Sequence, residues 1–133
     1  MLATTPAREC CSSMFEGCIN LEEPIEINFT TLADQCCFRM FCMDRNNKIT
    51  TPKMTKSPIL RCATGDSKCY EEMFKGNGNL IEVTCLKTDD TNAFSNWLSN
   101  TSSTGTFKKA SGASWSTGTS GIPSGWTVVD YTE

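Results

Sequence analysis

Nine cysteines and no histidine bound the chemistry that this 133-residue chain can offer. Without an imidazole there is no Ser-His-Asp triad, no Cys-His nucleophile pair and no zinc site that needs a histidine ligand. The cysteines stand at 10, 11, 18, 36, 37, 42, 62, 69 and 85. None of them forms C-x-x-C, and Cys36-Cys37 followed by Cys42 has the wrong spacing for a zinc knuckle. Glu22-Glu23 is the nearest approach to an acid/base pair, but neighbouring residues beside a strand point to opposite faces. Gly76-Asn77-Gly78-Asn79 is glycine-rich yet lacks the lysine and hydroxyl residue of a phosphate loop. Asn28-Phe29-Thr30 and Asn100-Thr101-Ser102 match the glycosylation triplet, which a chain rich in Ser and Thr meets by chance. The expectation is a non-enzyme with no catalytic residue, no metal and no cofactor.

Composition narrows the partners. Twelve basic against 15 acidic side chains give a net charge of −3, which is no footprint for a phosphate backbone, so nucleic acid is not expected. The most apolar stretch, residues 36–43, is interrupted by Arg39 and falls far short of the roughly 20 residues that span a bilayer. The amino end lacks the apolar run of a signal peptide, so a leader was either removed or never present.

The elements come from an internal repeat. Cys10-Cys11-Ser12-Ser13-Met14-Phe15 recurs as Cys36-Cys37-Phe38-Arg39-Met40-Phe41 and as Cys69-Tyr70-Glu71-Glu72-Met73-Phe74, a C-[CY]-x-x-M-F motif offset by 26 and then 33 residues. Leu32, Cys36 and Met40 recur every four residues, as do Ala33, Cys37 and Phe41, which predicts two apolar rows on a short helix. Gly17 and Gly76 would end such helices. The part-alternating, β-branched run Leu80-Ile81-Glu82-Val83-Thr84-Cys85-Leu86 reads as a strand. One unit is thus a helix, a turn and a strand, and units this small must stack to bury their apolar rows.

On that arrangement Cys10, Cys36 and Cys69 are equivalent, as are Cys11 and Cys37, and reduced cysteine packs as a small hydrophobe. Disulfides between units and a metal site are the alternatives. Helices pack roughly 8–10 Å apart, beyond bridging range, which favours an interior ladder of thiols. An odd number of cysteines leaves at least one unpaired within the chain.

From Thr88 onward there is no cysteine, while all three tryptophans appear: Trp97, Trp115 and Trp126. Spaced tryptophans argue against a flexible Ser/Gly linker and for a terminal unit covering the last apolar layer. Ala93-Phe94 with Trp97-Leu98 reads as its helix, and Thr106-Phe107-Lys108-Lys109 and Trp126-Thr127-Val128-Val129 as its strands. The expected division is three degenerate repeats over residues 1–87 (10–35, 36–68 and 69–87), then a degenerate last repeat and cap over 88–133. No comparable cap precedes the first motif, so the amino-terminal coil is expected either to continue a longer array or to self-associate.

These residues resemble the BspA-like branch of the leucine-rich repeats, surface proteins of gut-dwelling bacteria and some protozoa. That family's coil is similar to C-Y-x-x-M-F-x-G-C-x-x-L followed by a short proline-bearing strand and T-T-L-A. Here it reads Met14-Phe15-Glu16-Gly17-Cys18-Ile19-Asn20-Leu21, then Thr30-Thr31-Leu32-Ala33 leading into Cys36. The closing segment resembles the family's carboxyl end, with Asn96-Trp97-Leu98-Ser99 and Gly121-Ile122-Pro123-Ser124-Gly125-Trp126. Cysteine replaces the family's tyrosine at 11 and 37, and Cys42-Met43-Asp44 lacks the Gly-Cys turn. The resemblance covers about residue 10 to the end. It implies an α/β repeat solenoid with one short strand and one short helix per coil and a carboxyl-terminal cap.

It also implies a cell-surface or extracellular adhesion module that binds a host or cell-surface protein. The alternative is a spacer or oligomerisation piece of a larger surface or phage-tail protein, and a third reading is a disulfide-stapled inhibitor. If Leu80, Val83 and Cys85 face inward, Glu82 and Thr84 face out, and repeat equivalence adds Glu23 and Ile25 in the first coil and Thr51 and Lys53 in the second. These six are the candidate binding face.

Overall fold

The computed structural model describes residues 11–22, 27, 31–32, 35–43, 52–61, 64–65, 68–88 and 94–132. Within the repeated motif the backbone N–H groups alternate between two kinds of acceptor. Those of Met14, Glu16 and Cys18 close three-residue turns on the carbonyls of Cys11, Ser13 and Phe15. Those of Cys11, Ser13, Phe15 and Gly17 donate instead to Cys36, Phe38, Met40 and Cys42 of the next copy, at 2.9–3.0 Å. The second copy repeats this onto the third, where Cys37, Arg39, Phe41 and Met43 donate to Cys69, Glu71, Met73 and Lys75. In turn Glu72, Phe74 and Gly76 donate to Ser95, Trp97 and Ser99. The result is a ladder of four rungs, with Phe15 beside Phe41, Phe74 and Leu98.

This overturns the expected helix-bearing solenoid: among the described residues the chain builds parallel strands and turns, with no α-helix. The reason lies in the backbone. A left-handed residue recurs every fourth position, at Ser13 and Gly17, Gln35 and Arg39, Lys68, Glu72 and Gly76, and Asn96 and Asn100, with φ between 52° and 84°. A right-handed helix admits no such residue. The four-residue recurrence of Cys36 with Met40 and of Cys37 with Phe41 is therefore the period of the turn. The last helix, expected from Ala93-Phe94 with Trp97-Leu98, is likewise replaced, since residues 94–100 form a rung of the same kind and Ala93 lies outside the described residues.

Rungs at strand spacing change the packing. Phe15, Phe41 and Phe74 stack face to face with centroids 5.5 Å apart at each step, and Phe41 and Phe74 are wholly buried. Arg39 ties three rungs together, its Nη2 lying 2.8 Å from Glu16 and its Nη1 2.6 Å from Glu72. Removing it in Arg39→Met leaves two half-buried carboxylates facing each other. The expected loss is about 1–3 kcal/mol, read from urea unfolding.

The helix-spacing argument against bridging cysteines also falls, since neighbours in a parallel ladder sit about 4.8 Å apart, within disulfide reach. The seven described cysteines are nevertheless thiols. Cys11, Cys36, Cys37, Cys42, Cys69 and Cys85 are buried and Cys18 is exposed, while Cys10 and Cys62 lie outside the described residues. Cys36 and Cys37 are 3.7 Å apart at sulfur. That contact, then burial, then the proximity of Cys11 and Cys69 push the Cys37 thiol far above its ordinary range. Brief alkylation of the native protein, mapped by mass spectrometry, is expected to label Cys18 first among these seven and the other six only on unfolding.

After the rungs the chain runs into strands. β1 (Thr31–Leu32) pairs in parallel with β3 (Thr64–Gly65) ahead of the second and third rungs. β2 (Lys56–Leu60), β4 (Glu82–Cys85), β5 (Thr106–Lys109) and β6 (Thr127–Asp130) form a second, four-stranded parallel sheet in chain order. Cys36, Met40, Met73, Val83, Cys85 and Phe107 fill the space inside. Trp97 of the fourth rung and Trp115, Ile122 and Trp126 of the closing segment pack on the same core. Gly105 marks the tightest approach: an added Cβ would stand 2.7 Å from the Trp126 ring and 2.8 Å from the Ile81 carbonyl. Gly105→Ala is expected to cost about 1–3 kcal/mol in thermal or urea unfolding, because backbone cannot step aside.

Candidate binding face

The outward side of the four-stranded sheet is set by its register. Lys56 stands opposite Glu82, Glu82 opposite Thr106, and Thr106 opposite Thr127. One step along, Ile59, Thr84, Lys108 and Val129 form the second row. Between Lys56 and Ile59 the ladder slips. Pro58 has no N–H to give there, and the Ser57 hydroxyl accepts the Thr84 N–H at 3.1 Å in place of a carbonyl.

Glu82 is the hinge of the charge pattern. Lys108 pairs with its Oε1 and Lys56 with its Oε2 at 3.4 Å, so one carboxylate bridges three strands. Hydrogen bonding and charge from Lys108, with Lys56 second and burial opposing, hold the Glu82 carboxyl below its usual range. A depressed carboxyl stabilises the fold above its unfolded value of about 4.3, and that contribution fades as pH falls through the folded value. In urea titrations from pH 7 down to pH 3, the gap between parent and Glu82→Gln is expected to close at the acid end. The pairs are half exposed and screened, so the gap at neutral pH is about 1 kcal/mol or less.

The structure brings together part of the expected face and redraws the rest. Glu82 is there, half-buried and flanked by lysines. Thr84 was expected to be exposed but is buried between its neighbours on β2 and β5. Lys53 is exposed but precedes β2, its N–H bonded to the Ile19 carbonyl and its Nζ 3.5 Å from Glu22. The residue across from Glu82 on β2 is Lys56, so the repeat equivalence placed the second coil's face several residues too early. Glu23, Ile25 and Thr51 lie outside the described residues. Missed were Lys56, Lys108, Thr127 and Val129. Alternation along Thr106-Phe107-Lys108-Lys109, with Phe107 inward, carries the signal for Lys108.

Among the described residues no cluster of three or more Cys, Asp or Glu has a metal-holding arrangement, and no helix is long and apolar enough to cross a membrane. No protein-family model matches the chain, and searches of curated proteins and of solved structures find no match.

Proposed function

We propose that the chain is a non-enzymatic protein-binding module whose outer sheet face, carrying Lys56, Glu82, Lys108, Thr127 and Val129, engages another protein. The observation that carries this is the Lys56–Glu82–Lys108 cluster, a charge pattern crossing three strands of a parallel sheet with its lysines still reaching solvent. Two cations on one anion leave the cluster net positive, so it suits a partner with an acidic patch, and such complementarity acts on register and on-rate. The C-[CY]-x-x-M-F motifs supply the further reading, by resemblance to BspA-like surface proteins, of an adhesin-like piece at a cell surface or outside the cell. The partner would then be a host or cell-surface protein. The test is retention of proteins from mucus and matrix extracts on the immobilised chain, beside a Lys56→Glu, Lys108→Glu variant with unchanged unfolding. A partner held by the parent and lost by the variant supports the face. Equal retention by both removes it.

A second reading, a spacer or self-associating piece, has an observation of its own. Met40 and Met73 are wholly buried in their rungs, whereas their equivalent Met14 is 46% exposed. If copies join through this first rung, sedimentation of the parent shows a concentration-dependent oligomer that Met14→Lys reduces to monomer.

A further inference from the structure

The ladder has a direction, and its far end is open. Among the described residues every backbone bond between rungs runs from an N–H of the earlier rung to a carbonyl of the later one. Phe15, Phe41 and Phe74 donate in this way, as do Gly17, Met43 and Gly76. In the fourth rung the same positions are Leu98 and Asn100, while Trp97 and Ser99 close turns on Phe94 and Asn96 as in the other rungs. Among the described residues no carbonyl receives the N–H of Leu98 or of Asn100.

Beside these two residues the closing segment leaves an open pocket of about 330 Å³, bounded across from them by Gly118, Thr119, Pro123 and Ser124. Its walls carry hydroxyls and no charged side chain. Two wall carbonyls are already engaged: Leu98 accepts from Thr101 Oγ1 at 2.9 Å, and Ser102 accepts from Trp126 Nε1 at 2.8 Å. The Leu98 and Asn100 N–H groups and wall hydroxyls remain as donors. Asn100 is left-handed, with φ 58°, and backbone N–H groups gathered around such a residue form anion-accepting concavities.

We propose that this pocket binds a small oxyanion group, a carboxylate, sulfate or phosphate, whose oxygens take the place of the missing fifth rung's carbonyls on Leu98 and Asn100, with hydroxyls of Ser102, Ser103 and Thr119 around it. The site is distinct from the sheet face and stands or falls without it. Neutral walls fit an anion held by amides and hydroxyls, the way oxyanions sit on unpaired backbone donors elsewhere. The group can be a free ion or the terminal group of a larger molecule.

The test is titration of the full 15N-labelled chain with sodium sulfate, sodium acetate and a sulfated disaccharide, each against sodium chloride at matched ionic strength. Saturable shifts of the Leu98 and Asn100 amides, without matching shifts at Phe41 and Phe74, are expected in at least one arm. Saturation by the disaccharide as well as sulfate means that the pocket admits the group on a carrier, and saturation by sulfate alone means a free ion. Thr119→Glu and, independently, Ser124→Glu put a carboxylate at exposed rim positions. Each is expected to weaken binding at least about tenfold, with the Trp97 indole signal unmoved. No saturable shift in any arm, or variants that bind as tightly as the parent, overturns the proposal.

Discussion

Trp97→Ala is expected to lower stability by about 3–5 kcal/mol, the scale of a large aromatic removed from a packed core. The indole is wholly buried and meets five rings: Phe94 at 4.7 Å, Trp115 at 5.8 Å, Phe107 at 6.1 Å, Phe74 at 6.2 Å and Tyr70 at 6.5 Å. Its Nε1 donates to the Gly121 carbonyl at 2.8 Å. One side chain thus joins the third rung, the fourth rung, β5 and the closing segment. Alanine leaves a cavity that rings of this size cannot refill, and it frees the segment around Gly121. Trp97→Phe separates the two contributions. It keeps an aromatic ring in the cluster but orphans the Gly121 carbonyl, and is expected to cost about 1–3 kcal/mol beyond the volume lost. Urea unfolding followed by the fluorescence of Trp115 and Trp126 measures both. Equal losses for the two variants would show that the hydrogen bond, and not the ring cluster, holds the closing segment.

The second large effect needs a change of one atom type. Asn77 is fully buried, and its Nδ2 donates to the carbonyls of Phe41 at 2.8 Å and Phe74 at 2.9 Å, linking the second and third rungs. Asn77→Asp keeps the shape and reverses the chemistry, since a carboxylate would face two carbonyl oxygens with nothing to donate. At pH 7 the expected loss is about 3–5 kcal/mol, the scale of an uncompensated buried charge. Protonation restores one donor, so the folded carboxyl is raised above its unfolded value of about 3.9. A raised carboxyl means that the folded state binds more protons, and stability falls as pH rises above the unfolded value. The urea midpoint of the variant is therefore expected to climb as pH drops from 7 towards 4. The parent, whose Glu82 contribution fades in acid, moves the other way. A variant insensitive to pH would mean that water reaches the site.

Legibility of the fold divided along a physical line. The repeat was visible because burial repeats: Met40 and Met73, or Phe41 and Phe74, occupy the same depth in successive rungs and so had to be the same kinds of residue. The strand Glu82–Cys85 falls within the run that alternation and β-branching had marked, Thr106–Lys109 matches an expected cap strand, and Thr127–Asp130 overlaps the other, offset by one residue. The conformation of the rungs was hidden. A four-residue period is close to the 3.6 of a helix, and the residues that decide between them are those at left-handed φ. Gly17, Gly76, Asn96 and Asn100 are types that take that conformation readily. Arg39 and Glu72, held by the ladder on either side, take it just the same, as do Ser13 and Lys68, and their identities announce nothing. The site followed the same rule. Glu82 could be placed by alternation within its own strand, but its partners depend on register between strands. Lys56, five residues beyond Thr51, stands opposite Glu82, so the extra residues of the second repeat fall ahead of its strand, where repeat arithmetic had no means of placing them.

The one-way bonding between rungs has an electrical side. In an α-helix, peptide dipoles align along the direction in which the chain advances, and their sum puts partial positive charge at one end. Here the dipoles that join rung to rung align across the chain direction, in columns through Ser13, Arg39 and Glu72, through Phe15, Phe41 and Phe74, and through Gly17, Met43 and Gly76. The stack is therefore polarised along its own axis, negative beside the first rung and positive beside the fourth.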